Sequence, residues 1–333
     1  MKSNQNRKAS FIAVIKYSFN QLLKNNNLTK KFSAFQLNSL WRYRLSQYAL
    51  LMRIDKPIGS LLLLWPTFWA LWLASGGFPE FHLILIFCGG VFLMRSAGCV
   101  INDYADRNID GQVTRTKERP LAVHKVTEKE ALLLFVVLAL AAFGLVLLLN
   151  TLSIILSFAA LAIATVYPFM KRVTYFPQVV LGMAFSMAIP MAFAAVQDEI
   201  PMTAWLLYIT NLLWVLAYDT LYAMVDKKDD LKIGIKSTAI FFGEADLQIT
   251  AMIQGMFLFG MILLGGQFDL NGYYYLSLVI ASLLIAWQIY SCRRRDPQRC
   301  FRAFLNNNWV GFVIFCGILI AQLTAGPISE LAS

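Results

Sequence analysis

The composition of this 333-residue chain excludes an ordinary soluble protein. Hydrophobic residues make up 58% of it, charged residues only 14%, and the mean hydropathy is +0.59, whereas soluble domains carry about 25% charged residues. We therefore predict an all-α polytopic membrane protein rather than two soluble domains. The net charge of +10 fits loop cations that orient a membrane protein. It does not indicate nucleic acid, because the chain has no nucleic-acid-binding motif.

The beginning of the chain differs in composition from the rest. It contains no acidic residue before Asp55 and is rich in Lys, Asn and Ser. Apolar residues between Phe11 and Leu23 recur at roughly helical spacing, which is typical of a basic helix on an anionic membrane surface. We predict a basic extension over residues 1–45, interfacial or disordered, and a transmembrane domain over residues 46–333. An organelle transit peptide is the alternative for the extension.

Nine apolar segments follow, each near the ~20 residues that a helix needs to cross a bilayer. They must be helical, because backbone polar groups in lipid have to be satisfied internally. We therefore expect nine transmembrane helices in one bundle around a central cavity. The predicted spans are 58–76, 82–101, 130–149, 152–169, 177–196, 203–222, 247–265, 272–291 and 309–326. Three prolines are expected to kink or end the spans that contain them, and these are Pro66, Pro168 and Pro190.

The loop charges fall on one side of this arrangement. Lys and Arg occupy the loops after spans 2, 4, 6 and 8, and none occurs in the loops after spans 1, 3, 5 and 7. This distribution predicts a cytoplasmic N-terminus. The basic and aromatic stretch at 293–308, before span 9, is interpreted as an interfacial anchor.

Two acidic clusters lie where spans 2 and 6 reach the cytoplasmic loops. If the helices continue through them, spacings of three, four and seven residues place each cluster on one helix face. The first stripe is Arg95, Asn102, Asp106 and Asp110, and the second is Asp219, Tyr222, Asp226 and Asp230. Because both clusters lie on the same side, we expect them to meet. Facing carboxylates require a positive charge between them, and hard oxygen ligands suit Mg²⁺ shared with substrate phosphates.

Cations beside the clusters complete the predicted site. Arg119 follows the first cluster, and Lys171 and Arg172 lie in the short loop after span 4. Such cations can bind a diphosphate, although simple loop charge is the alternative for most of them. Arg95 lies within span 2, where a cation should face the bundle interior. It either pairs with an aspartate of the cluster or binds an anionic substrate group.

The clusters and several longer motifs resemble the UbiA superfamily of intramembrane prenyltransferases, over about residues 45–325. The superfamily signatures NDxxDxxxD and DxxxD are matched by Asn102-Asp103-x-x-Asp106-x-x-x-Asp110 and Asp226-x-x-x-Asp230. The further segments that match the members acting on 4-hydroxybenzoate are Leu51–Gly59, Leu64–Thr67, Tyr167–Arg172 and Asp219–Asp226.

The resemblance implies a reaction and a set of site residues. It implies transfer of a polyprenyl group from polyprenyl diphosphate to the 4-hydroxybenzoate carbon ortho to the hydroxyl, with Mg²⁺ as cofactor, in ubiquinone biosynthesis. The implied Mg²⁺-binding residues are Asn102, Asp106, Asp110, Asp226 and Asp230. Asp106, Asp219 and Asp226 are the implied catalytic residues, with Asp219 as proton acceptor. The implied substrate-binding residues are Arg95, Arg119, Lys171, Arg172 and Tyr222.

The resemblance leaves several alternatives open. The acceptor could instead be a naphthoate, homogentisate or a haem precursor. A secondary transporter with Asp-lined ion sites would also explain buried acids, although such sites tend to lie near the bilayer midplane. A bacterial inner membrane is the expected location, with the mitochondrial inner membrane as the alternative.

Overall fold

A computed structural model describes residues 41–324. The predicted extension therefore falls almost entirely outside the described residues, and its boundary near residue 45 stays a prediction. The chain divides into two compact units, residues 1–49 and 50–333. In the first unit, residues 41–49 are helical.

Helices make up nearly all of the regular structure in residues 50–324, and no strand occurs there. Their bounds are α1 Ile58–Ser75, α2 Phe81–Asp106, α3 Glu128–Val146, α4 Thr151–Val173, α5 Pro177–Ser186, α6 Ala188–Gln197, α7 Met202–Ile233, α8 Thr238–Phe241, α9 Asp246–Gln267, α10 Gly272–Cys292 and α11 Pro297–Thr324. The short α8 lies in the loop between α7 and α9. Helices α5 and α6 together count as one broken segment. On that count, nine helical segments within residues 41–324 are long and apolar enough to cross a membrane. The prediction of nine spanning helices is confirmed.

Proline ends a helix at one of the three predicted positions. The chain continues as helix through Pro66 in α1 and Pro168 in α4. Pro190, by contrast, lies four residues after Ser186, where α5 ends. Proline cannot donate to the carbonyl four residues earlier, and its ring collides with that carbonyl. The fifth span is therefore two short helices joined at Met187.

The last helix begins twelve residues earlier than predicted, at Pro297 instead of 309. The Asp296 side chain accepts a hydrogen bond from the Arg299 backbone N–H at 2.9 Å, and proline at the first helical position is favourable. Cys300, Ala303 and Asn307 are buried. The predicted start of the last span is thus wrong, because residues 297–308 are the first turns of α11. The interpretation of 293–308 as an interfacial anchor stays a prediction.

The two acidic clusters differ in backbone conformation. Helix α7 continues to Ile233 and carries Asp226 and Asp230 on regular helix, as predicted. Helix α2 ends at Asp106, and Asp110 begins a short 3₁₀ turn. The assumption that one helix carries the whole first stripe is therefore wrong for Asp110.

The main buried cluster of the bundle takes residues from α1, α2, α6, α7, α9, α10 and α11. The rings of Trp69, Trp214 and Phe257 form its centre, with centroid distances of 5.2 Å between the indoles and 5.7 Å between Trp214 and Phe257. The indole N–H of Trp69 donates to the Gly311 carbonyl at 3.1 Å, and that of Trp214 donates to Asn307 Oδ1 at 3.0 Å. Buried indoles normally need such partners, so these bonds fix how α11 packs on α1 and α7.

Helices α3 and α4 contribute little to this core. Only Ala131, Leu138 and Ala142 of α3 are buried, and only Ser153 and Pro168 of α4. None of these residues belongs to the main buried cluster. The two helices instead form one wall of a large cavity.

Gly311 allows the close approach of α11 to the indoles, and enlarging it should destabilise the bundle. A Cβ atom at this position would lie 2.6 Å from the Trp65 ring and 2.9 Å from the Trp214 ring. We expect Gly311→Ala to cost about 1–3 kcal/mol by overpacking and to lower the thermal midpoint in detergent. Gly255→Ala is the matched control, because nothing lies within 4 Å of its added Cβ. Equal midpoints for the two variants would contradict this account of the core.

Candidate active site

One cavity of about 1750 Å³ lies between α1, α2, α3, α4, α5–α6, α7 and the start of α11. Its two ends differ in chemistry. The aspartates of both clusters and their neighbouring cations line one end. The other end is lined by apolar residues of α2 to α6, among them Phe87, Phe135, Phe143, Phe158 and Met191. The cavity therefore has the polarity of an amphiphile with a charged head and a long apolar tail.

Two arginines hold Asp103 at the end of α2. Its carboxylate is only 1% exposed and accepts from Arg53 Nη2 at 2.9 and 3.0 Å. Arg119 Nη1 lies 3.0 Å from Asp103 Oδ1 and also 3.0 Å from Asp110 Oδ2. Arg119 thus bridges two carboxylates of the first motif. A buried carboxylate without such partners would be strongly destabilising.

Asp106 occupies the same end of α2 and is only partly satisfied. One of its oxygens, Oδ2, accepts from Lys171 Nζ at the end of α4 and, at 3.4 Å, from Asn102 Nδ2. The other oxygen, Oδ1, is buried and has no hydrogen-bond partner among the described residues. Buried acceptors are normally satisfied, so this oxygen has free capacity for a ligand.

Arg115 connects the two acidic clusters. It follows the first cluster in sequence, and its Nε and Nη2 donate to the two oxygens of Asp226 in the second cluster at 3.1 and 2.5 Å. Its guanidinium lies over the Tyr222 ring, 4.7 Å from the centroid. Asp230, one helical turn beyond Asp226, is near enough to Asp106 and Lys171 to interact electrostatically with both. The prediction that the two clusters meet agrees with these contacts.

The two loop arginines are firmly charged. Burial alone would lower the pKa of Arg119, but the Asp103 and Asp110 carboxylates outweigh burial and raise it above its ordinary value. For Arg115, burial also opposes the charge, while Tyr222 and Asp226 raise the pKa. Both guanidinium groups are therefore permanent cations at the polar end of the cavity.

Arg95 lies deeper in the cavity, on α2 and two turns before Asn102. Its Nη1 donates to Cys99 Sγ, and its Nε is buried without a partner among the described residues. Asp219 interacts with it electrostatically. The guanidinium also lies directly against Gly59 of α1, where an added Cβ would be 2.5 Å from Nη2. Arg95 thus faces the interior, as predicted, and retains unused hydrogen-bonding capacity.

Most of the predicted site residues line this cavity, and one does not. The lining members are Arg95, Asn102, Asp106, Asp110, Arg119, Lys171, Asp219, Tyr222, Asp226 and Asp230. Arg172 is exposed, is not part of the lining, and donates to the backbone carbonyl of Ala105. It therefore supports the C-terminal end of α2, whose last carbonyls lack helical partners. The individual roles of all these residues stay predictions.

Several residues of the site make contacts that the sequence did not predict. Arg53 and Arg115 pair with motif aspartates, and Tyr167 and Tyr218 line the cavity beside Arg95 and Asp219. Both tyrosines had a detectable signal, since Tyr167 lies four residues before Lys171 and Tyr218 four before Tyr222. Positions four apart share a helix face. Neither arginine pairing had a comparable local signal.

The oxygen donors of the site are of the kind that the predicted Mg²⁺ prefers. Carboxylate and amide oxygens are suitable ligands for Mg²⁺, and the unpaired Asp106 Oδ1 offers one of them. Within residues 41–324, however, no group of three His, Cys, Asp or Glu side chains is placed to hold a metal ion. Asp106 and Asp226 are instead paired with Lys171 and Arg115. The chemistry of the site thus fits Mg²⁺ that arrives with an anionic ligand, and these residues do not form a preassembled metal cage.

Comparison with known proteins agrees with this architecture. The model of the UbiA prenyltransferase family matches residues 63–316. The 4-hydroxybenzoate octaprenyltransferase of Pseudomonas aeruginosa (strain UCBPP-PA14) is 57% identical over 267 residues, which cover 80% of this chain and 90% of that protein. The enzyme of the same name from Yersinia pseudotuberculosis (serotype O:3, strain YPIII) is 57% identical over 274 residues, covering 82% and 95%.

Solved structures share the fold. The apo structure of a UbiA homolog from Aeropyrum pernix K1 superposes with a TM-score of 0.71 at 26% identity, covering 80% of this chain and 98% of that one. A UbiA homolog from Archaeoglobus fulgidus, solved with GPP and Mg²⁺, gives 0.60 at 15% identity, covering 82% and 99%. That homolog has also been solved with Cd²⁺.

These matches agree with what the residues show. The family model covers most of the transmembrane domain, including both aspartate motifs, and those motifs line one cavity of a nine-span helical bundle. The chain belongs to the UbiA prenyltransferase family.

Proposed function

We propose that this protein transfers a polyprenyl group from polyprenyl diphosphate to the carbon ortho to the hydroxyl of 4-hydroxybenzoate, in ubiquinone biosynthesis. Relatives at 57% identity carry the name 4-hydroxybenzoate octaprenyltransferase. The observation that carries the proposal is the single cavity that joins an aspartate- and cation-lined end to a long apolar end. A polyprenyl diphosphate has the same distribution of polarity, and Arg95 lies between the two ends.

The charged end would hold the diphosphate together with Mg²⁺. The proposed metal-binding residues are Asn102, Asp106, Asp110, Asp226 and Asp230, supported by their oxygen donors and by the unpaired Asp106 Oδ1. When bound, Mg²⁺ supplies charge neutralisation that favours departure of the diphosphate. Asp106 and Asp226 are proposed to be catalytic because they would hold the Mg²⁺ that favours departure of the diphosphate.

The cations of the same end would stabilise the departing anion. Arg115, Arg119 and Lys171 are already arranged around the aspartates, so little reorganisation is needed when negative charge develops. Arg172 is proposed to assist at the rim, since it already contacts the backbone of α2 beside Asp106.

Arg95 and Asp219 would act on the aromatic acceptor. The free donors of Arg95 suit the carboxylate of 4-hydroxybenzoate, and Tyr222 contributes an aromatic surface. The bond between the prenyl carbon and the diphosphate oxygen breaks, and a bond to the ring carbon forms. The proton on that ring carbon passes to Asp219, which restores aromaticity. The apolar walls exclude water, which would otherwise capture the allylic cation.

The proposed location is a bacterial inner membrane, with the active site on the cytoplasmic side. The support is the one-sided distribution of loop cations and the bacterial origin of the similar relatives. Placing the N-terminus in the cytoplasm puts both aspartate motifs on that side as well.

The reaction can be tested with detergent-solubilised protein, a polyprenyl diphosphate and an acceptor panel of 4-hydroxybenzoate, a dihydroxynaphthoate and homogentisate. We expect mass spectrometry to detect 3-polyprenyl-4-hydroxybenzoate only when Mg²⁺ is present, and chelation by EDTA to abolish its formation. Product with another acceptor alone would assign a different substrate. The absence of product with every acceptor would contradict a prenyltransferase.

The aspartate motifs should be indispensable for this reaction. We expect Asp106→Asn and Asp226→Asn each to lower kcat by at least about a hundredfold, the order lost when one preorganised electrostatic group is removed. Asp269→Asn is the matched control, since Asp269 lies in the α9–α10 loop at positive φ, where Asn is tolerated. Near-normal turnover by either motif variant, with intact gel-filtration behaviour, would refute the diphosphate site.

Replacing Arg95 should weaken the binding of the aromatic acceptor more than the binding of the polyprenyl diphosphate. We expect Arg95→Ala to raise KM for 4-hydroxybenzoate on the order of 30-fold or more, as for removal of one partner of a buried charge pair. KM for the polyprenyl diphosphate should change little. Steady-state kinetics with each substrate varied in turn measures both constants, and an unchanged acceptor KM would remove this role of Arg95.

A further inference from the structure

The backbone of Gly59 lies unusually close to the side chain of Arg95. Gly59 is the second residue of α1, and Arg95 lies on the neighbouring α2. A Cβ added to Gly59 would lie 2.5 Å from Nη2, 2.9 Å from Nε and 3.1 Å from Cζ of Arg95. Real side chains do not approach so closely, so the guanidinium occupies space that exists only because this residue has no side chain.

The other contacts of Arg95 leave its position weakly determined. Its one side-chain hydrogen bond within the described residues goes to Cys99 Sγ, and a thiol is a weak acceptor. Nε is buried without a partner. Arginine has many rotamers, and no carboxylate contacts this guanidinium directly among the described residues. The steric boundary at Gly59 is therefore a principal constraint on where the guanidinium lies.

Gly59 also faces the cavity itself. Together with Pro57 and Ile58 it lines the space that contains Arg95, Asp219 and Tyr222. An alanine methyl there would not meet rigid backbone, because each of the three nearest atoms belongs to the Arg95 side chain. The fold can accommodate the methyl group by moving Arg95, whose new position would then be wrong for its ligand.

We propose that Gly59 is a specificity-determining position that sets where Arg95 presents its guanidinium to the carboxylate of the aromatic acceptor. This inference rests on the proposed function, in which Arg95 binds that carboxylate. Gly59 acts through Arg95 and is a positioning residue. The ligand that Arg95 would bind in this position is an aromatic acid whose carboxylate lies at a fixed distance from the reacting ring carbon.

The test compares 4-hydroxybenzoate with 4-hydroxybenzamide, which has nearly the same shape but no charge. We expect Gly59→Ala to raise KM for the acid by about tenfold, because a charge-assisted contact is weakened and not removed. KM for the amide and kcat should change much less. Gly255→Ala is the control, since its added Cβ meets nothing within 4 Å and Gly255 lies on the exposed face of α9. Equilibrium dialysis of radiolabelled 4-hydroxybenzoate provides a readout that does not depend on turnover.

The double variant Gly59→Ala/Arg95→Ala distinguishes the possible outcomes. If Gly59 acts through Arg95, adding Gly59→Ala to Arg95→Ala should have no further effect on acid binding. Equal effects of Gly59→Ala in both backgrounds, or an unchanged preference for the acid in Gly59→Ala, would overturn this inference. An unchanged preference in Arg95→Ala would instead refute the proposed carboxylate anchor, and with it the basis for the role of Gly59.

Discussion

The architecture of the site depends on keeping aspartates charged at the ends of apolar helices. An unpaired buried charge costs several kcal/mol, so each buried carboxylate of α2 needs a cation from elsewhere in the chain. Arg53 arrives from before α1, Arg119 from the loop after α2, and Lys171 from the end of α4. These ion pairs hold the connecting segments against the polar end of the cavity. The same cations that make the aspartates tolerable also place N–H donors where a diphosphate and its Mg²⁺ would bind.

Much of this arrangement was predictable because the decisive signals are local. Hydropathy over about 20 residues identified nine spans, and helical spacing placed Asp226 and Asp230 on one face of α7. The start of α11 was missed because five arginines between 293 and 302 lowered the apparent hydropathy. The better signal there was stereochemical, an Asp-Pro pair that begins a helix. Asp110 was misplaced because no pattern in its neighbourhood indicates that α2 ends at Asp106.

Contacts between distant segments could not be predicted in the same way. Arg115 and Asp226 are separated by 111 positions, and Gly59 meets Arg95 across two helices. Residue spacing reports which side chains share a face of one helix, but not which faces oppose each other. The sequence therefore supported the conclusion that the two clusters meet, through the charge distribution of the loops, without indicating which cation joins them.

The uneven burial of the helices has a consequence for how this scaffold can change. Helices α3 and α4 line the apolar end of the cavity yet contribute nothing to the main buried cluster. Replacing their cavity-lining side chains alters the shape available to a tail without touching the aromatic centre, whereas changes in α1, α7 or α11 disturb that centre. The wall that shapes the tail site is thus separate from the aromatic centre of the bundle. Such a division allows descendants of one ancestral bundle to accommodate tails of different length while the chemistry at the aspartates stays unaltered.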